Sequence, residues 1–186
     1  MSYPIPRRQY TVTEYHQMIA AGVLTKEDRV ELLNGEIVEM SPINPSHAAA
    51  VDRISRLFHR RAGDEVLVRG QNPVTLDDYS EPEPDLSIVV FRPDFYALSH
   101  PRPADVLLLI EVAESSGQKD RLTKQPAYAA SGIREYWIVD LPQDLIEVCT
   151  QPVESVYQSI RQVARGGSLT PELLPGLTLR AEELLG

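Results

Sequence analysis

Cysteine is nearly absent from this chain: Cys149 stands alone among 186 residues. That excludes an intrachain disulfide and any thiolate metal cluster, so a metal would have to be held by oxygen or imidazole. Long apolar runs are missing as well. Nowhere do eighteen apolar residues follow one another, and the opening MSYPIPRRQYTVTEYHQ carries no stretch suited to a signal peptide. The expectation is a soluble, cytoplasmic protein without a membrane partner. Positive charge is in deficit, with 18 Lys and Arg against 27 Asp and Glu and a net charge of -9. Such a balance argues against indiscriminate coating of nucleic acid, although a local basic patch is compatible with it. Repeats, low-complexity tracts and linkers are also lacking, and the length suits one ordinary core. A single domain over residues 1–186 is therefore expected.

What is present is a series of short periodic segments. Thr11 with Glu14 three residues later has the form of a capping box, and Tyr15, Met18 and Ile19 give the following short helix an apolar side ending by Gly22. RVELLNGEIVEM, residues 29–40, reads as two strands around Asn34-Gly35, a strong hairpin signal. Ser46 is placed to cap a helix through about Ala62, with Val51, Ile54 and Phe58 at helical spacing and Gly63 as its stop. Strand-like runs follow at EVLVRGQNPVTL, DLSIVVF, DVLLLIEVAE, REYWIVD and DLIEVCT. Between the third and fourth lies DRLTKQPAYAASG, a helix candidate whose Pro126 belongs in the first turn, giving a strand, helix, strand crossover. The tail LTPELLPGLTLRAEELLG reads as short segments lying over the body.

The stretch DVLLLIEVAESS, residues 105–116, poses the chemical question. Val106 to Ile110 reads as a strand buried on both faces, yet it runs straight into Glu111. An ionised carboxylate there costs several kcal/mol, on the order of what buried charges generally cost, unless a cation or hydrogen-bond donor compensates it. Asp85 opens the strand LSIVVF, so adjacent strands would bring two carboxylates to one sheet end. Such a pair repels, a divalent cation relieves the repulsion, and hard oxygen donors suit Mg²⁺ or Mn²⁺. Each acid taken alone has a plainer reading as a strand cap or the partner of an arginine. Asp120, Lys124 and Tyr128 are spaced four apart and share a helix face. The plain reading of Asp120 and Lys124 is a surface ion pair, and the chemical one is a lysine beside the carboxylates and a phosphate. His47 is either an exposed first-turn residue or a contact for phosphate and protons. Arg53, Arg56 and Arg60 form a stripe opposite Val51, Ile54 and Phe58, read as a solvated face or as a phosphate-contacting surface. Glu31, in the hairpin, reads equally as a third acidic ligand or as a solvent-facing strand residue.

In order along the chain, VELLNGEIVEMSP, a proline-rich turn with His47, NPVTLDDYSEPEPDLSIVV, LLLIEVAESS and KDRLTKQPAYAASGIREYWIVD resemble the Uma family of putative restriction endonucleases, over residues 10–180. The resemblance implies the PD-(D/E)xK nuclease superfamily: an α/β (α+β) fold with a mixed sheet, a restriction-endonuclease-like core, flanking helices and an N-terminal β-hairpin. It also implies Mg²⁺-dependent hydrolysis of phosphodiester bonds in nucleic acid, with DNA the favoured polymer. Carried over, Pro84-Asp85 supplies the PD half and Glu111 the acidic half of the second motif. Ala113 stands where the usual lysine would be, so the resemblance points to Lys124 on the next helix. The cation would then rest on Asp85, Glu111 and the Val112 carbonyl. A non-catalytic nucleic-acid-binding module and a phosphoesterase for small nucleotides stay open as alternatives, as does a homodimer.

Overall fold

The computed structural model describes residues 7–25, 27–114 and 117–186, the side chains of residues 117–120 excepted. In chain order its elements are α1 (Val12–Ala20), β1 (Val30–Leu33), β2 (Glu36–Glu39), α2 (Pro45–Arg61), β3 (Val66–Gly70), β4 (Leu86–Val90), β5 (Val106–Ala113), α3 (Gly117–Ala130), β6 (Glu135–Asp140), β7 (Leu145–Val153), β8 (Val156–Ala164), β9 (Ser168–Leu169), β10 (Leu179–Arg180) and α4 (Ala181–Leu185). A six-stranded sheet runs in the order β3-β4-β5-β6-β7-β8. Its pairings are antiparallel except that of β5 with β6, which is parallel and is bridged by α3. A parallel neighbour requires a crossover, and α3 supplies it. Among the described residues no helix is long and apolar enough to cross a membrane.

Both faces of the sheet are covered, which is why its central strands read as continuous apolar runs. On one face Leu108, Ile110 and Val112 of β5 meet Ile54 and Phe58 of α2 and Leu184 of α4. On the other, Leu109 and Ala113 meet Ala127 and Tyr128 of α3. Strand periodicity places Glu111 on the second face, with Leu109 and Ala113 and under α3. The hairpin of β1 and β2 joins the rest through a bridge from Leu32 to Glu81.

Several local expectations change. The α2 cap is Asn44, whose Oδ1 accepts the His47 N–H at 3.0 Å, while the Ser46 hydroxyl is engaged with Glu114. Pro45, rather than Ser46, therefore opens the helix, at the position where a missing N–H costs nothing. Helix α3 begins at Gly117, so Pro126 is interior rather than in the first turn. The carbonyl it leaves without a helical partner belongs to Leu122, which stands on the exposed side where water can serve it. Strand β3 stops at Gly70 because Gln71 takes a positive φ of 50° and Pro73 follows. Strand β8 has no counterpart among the strand-like runs. It is an edge strand that buries only Tyr157 and Val163 fully, so its apolar positions do not alternate cleanly.

Gly35 holds the hairpin against the N-terminal segment. Its φ is +75°, and an added Cβ would stand 2.6 Å from Cβ of Gln9; Gly132, at φ +79°, has nothing within 4 Å. Gly132→Ala is expected to cost about 1 kcal/mol, the backbone penalty alone. Gly35→Ala adds overpacking and is expected to cost roughly 2–4 kcal/mol. Urea denaturation of the two variants checks this; equal losses would contradict the close approach.

Candidate active site

Asp85 and Glu111 meet because β4 and β5 are antiparallel and in register. Leu86 pairs with Ile110, so the residues one step outward face each other at the same sheet end. The Asp85 N–H donates to Glu111 Oε2 at 3.2 Å, and the Val112 N–H donates to Asp85 Oδ2 at 2.8 Å. His47, reaching in from the first turn of α2, places Nε2 at 2.9 Å from Asp85 Oδ1. Burial works to raise the Asp85 pKa, but the hydrogen bond and charge of His47, the Val112 N–H and the charge of Lys124 together hold it below the usual carboxylate range. Asp85 is thus ionised at neutral pH, and His47 Nε2 must carry the proton that they share.

Glu111, 3% exposed, is compensated from α3. Lys124 Nζ lies 3.1 Å from Glu111 Oε1, and the Tyr128 hydroxyl donates to the same oxygen at 3.0 Å. Residues four apart on a helix share a face, and that face turns inward here. Burial, then the Glu111 charge, pushes the Tyr128 phenol well above its ordinary pKa, so it is a neutral donor. Lys124 is itself buried, and its ammonium also lies 3.1 Å from Glu31 Oε2 and donates to the Glu83 carbonyl at 3.1 Å. Glu31 in turn accepts the Glu83 N–H at 3.1 Å. Lys124 is therefore a clamp between two buried carboxylates from different parts of the chain. The surface-pair reading of this lysine does not survive its burial.

Glu31, His47, Asp85, Glu111 and Lys124 line one cavity of about 60 Å³, shared with Arg29, Glu83, Glu114, Asn44 and Gln71. That is space for a cation and a few waters. The donors facing it are mainly carboxylate and amide oxygens, a set that fits Mg²⁺ or Mn²⁺. Lys124 stands between Glu31 and Glu111, so the acids do not close into a cage by themselves.

Other expected residues fall elsewhere. Arg53 Nη2 donates to the Leu184 and Leu185 carbonyls at 2.9 Å each, which corrects its assignment to a phosphate surface: the guanidinium satisfies the last carbonyls of α4. Arg56 and Arg60 are exposed, roughly 13 and 20 Å along the α2 axis from His47 at 1.5 Å per residue. The Asp120 side chain lies outside the described residues. Val112 is seen to contribute its N–H. Glu83 was missed; the alternation Glu81, Glu83, Asp85 before β4 is the signal that would have found it. Cys149 has no place in the site, and burial pushes its thiol up to about 12.

The family model Uma2, described as a putative restriction endonuclease, matches residues 12–182. The chain belongs to the Uma2 family. Among solved structures it is similar to a protein of Anabaena variabilis described as a putative nuclease belonging to DUF820. The two are 14% identical, with 94% of this chain and 97% of that chain covered and a TM-score of 0.71. At that identity the likeness shows the fold. No curated protein matches the chain.

Removing Lys124 leaves Glu31 and Glu111 buried and facing each other. Lys124→Ala is expected to lower stability by roughly 3–5 kcal/mol without metal, as breaking a buried pair does. Adding Glu31→Gln should recover part of the loss. Urea melts in the presence of a chelator check this, and a loss below about 0.5 kcal/mol would return Lys124 to an ordinary surface pair.

Proposed function

We propose that this Uma2-family chain is a metal-dependent nuclease, hydrolysing phosphodiester bonds in nucleic acid, with DNA as the first substrate to try and Mg²⁺ or Mn²⁺ as the cation. The observation that carries the reading is the convergence of Asp85, Glu111 and Lys124 on one small, oxygen-lined cavity. Family membership supports it independently.

Asp85 and Glu111 would hold the cation, with the Val112 carbonyl and Glu31 as further oxygen donors. When bound, the cation supplies Lewis-acid polarisation of the scissile phosphate and an acidified water. Lys124 brings a compact positive charge to the same space. Among the described residues Glu31, Glu111 and the Glu83 carbonyl face its ammonium, so contact with a phosphate oxygen or the attacking water means exchange with such a partner. Release of Glu31, which is joined to Lys124 and the Glu83 N–H, or of the Glu83 carbonyl leaves the Lys124–Glu111 contact intact. His47 fixes the Asp85 carboxylate through the Nε2 proton, keeping its ionised form oriented toward the cavity. Tyr128 does the same for Glu111 through its neutral hydroxyl. The acids, the lysine and their two positioning partners thus form one preorganised set, which is how electrostatic catalysis avoids reorganisation during the reaction.

The test is turnover of plasmid, linear, branched and single-stranded substrates with Mg²⁺ or Mn²⁺, beside a chelator control. Asp85→Asn and Glu111→Gln should each reduce the rate by at least about 10²–10³-fold, the scale of losing one preorganised electrostatic group. Lys124→Arg should not restore a Lys124→Ala loss, because a planar guanidinium does not fit the place of an ammonium. Metal-independent turnover, or full activity in both acid variants, would overturn the reading. Salt-dependent binding without cleavage across the panel would assign the chain to the non-catalytic module instead.

A further inference from the structure

A second group of metal-ligating side chains lies apart from that cavity. His16 of α1, Glu81 and His100 each offer one donor atom, and the three atoms lie within 4.8 Å of one another. We infer that His16, Glu81 and His100 form a second metal site, selective for a borderline transition cation of the Zn²⁺ class.

Three observations point the same way. First, Glu81 is 3% exposed, and among the described residues no lysine or arginine forms an ion pair with it. Its partners are His16 Nε2 at 2.5 Å from Oε1 and the Thr75 hydroxyl, which donates to Oε2 at 2.6 Å. A buried carboxylate so placed gains from a cation. Second, His100 Nδ1 is buried and finds no hydrogen-bond partner among the described residues. Buried polar atoms are usually satisfied, so a buried imidazole nitrogen without a partner calls for one, and a metal ion is a partner that its neutral form accepts. Third, the outer contacts suit ligation. Thr75 orients the Glu81 carboxylate as an outer-sphere hydrogen bond does, and its N–H is tied to the Pro101 carbonyl at 3.0 Å, next to His100.

The donors also choose the ion. Two imidazoles and one carboxylate suit Zn²⁺, Co²⁺ or Ni²⁺ over Mg²⁺, and three protein ligands leave a fourth position open. His16 is exposed, so the site is reached from solvent. Ligands at bond lengths of about 2.0–2.1 Å stand roughly 3.3 Å apart in a tetrahedron. Metal entry therefore needs shifts of about an ångström: the 2.5 Å His16–Glu81 contact opens while the wider separations close. Arg69, whose charge acts on His100, opposes a cation here. A bound ion would tie α1 and the loop carrying His100 to Glu81, four residues ahead of Asp85.

The experiment uses the untagged full chain, stripped with a chelator and titrated with Co²⁺ and then Zn²⁺, read by visible absorption and by melting temperature. One equivalent of Co²⁺ should give ligand-field bands that Zn²⁺ removes, and Zn²⁺ at about 100 times its Kd should raise the melting temperature by roughly 5–10 °C. The Co²⁺ bands and their removal by Zn²⁺ should persist in Asp85→Asn, which alters only the first cavity. His100→Ala and the surface variant His16→Gln, which leaves the core untouched, should each bind at least ~100-fold more weakly, more than loss of an outer-sphere partner costs. Absence of binding by the wild type overturns the inference. So does binding that survives in His16→Gln and disappears in Asp85→Asn, which would assign the ion to the first cavity.

Discussion

Glu111 is a carboxylate on a strand buried on both faces, and the arrangement around it follows from the need to keep that charge stable. Burial of an unpaired carboxylate would be among the most costly single features a fold of this size could carry. Compensation comes from Lys124 and Tyr128 on α3 and from the Asp85 N–H at the entrance to β4. Lys124, buried in its turn, draws in Glu31 from the hairpin, and Asp85 draws in His47 from α2. One charge on β5 thus gathers four other parts of the chain around a single cavity. A purely structural role would be served as well by an apolar residue at position 111, since well-packed apolar replacements of buried ion pairs are often neutral or stabilising. The expense makes sense if the carboxylate has a chemical rather than a structural role.

The segment 81–85 links this centre to the second group of ligands. Pro82 and Pro84 stiffen it by fixing φ, and its acids serve different neighbours. Glu81 meets His16 and Thr75, the Glu83 backbone meets Glu31 and Lys124, and Asp85 meets His47 and Val112. Oxygen donors gather at one end and imidazoles at the other, so the two ends favour different cations by ligand chemistry alone.

Much of this was legible in the residues themselves. Asn34-Gly35 marks the hairpin, the apolar runs mark β4, β5 and β6, and Glu111 announces itself by interrupting one of them. The four-residue spacing of Lys124 and Tyr128 places both on one helix face. What stayed hidden depends on contacts distant in sequence. Nothing local in the sequence reveals that His47 and Asp85, 38 positions apart, share a proton. Nor does it reveal that Arg53 completes α4 at the far end of the chain, or that His16 and His100 converge on Glu81. Pro126 misled because proline is ordinarily a first-turn residue, and its interior place is tolerated by an exposed turn. Strand β8 was obscured because an edge strand has little to bury and so loses the alternation that marks its neighbours.

On this reading Asp85 and Glu111 are held close and oriented to bind a divalent cation. Calorimetric titration of Mn²⁺ into the chelator-treated chain tests it most directly, with the His16→Gln background used to silence the second group of ligands. The account predicts binding of one equivalent that is lost in both Asp85→Asn and Glu111→Gln while each variant stays folded by circular dichroism. Unchanged Mn²⁺ affinity in both variants would contradict it and leave the two acids as structural partners of Lys124 and His47.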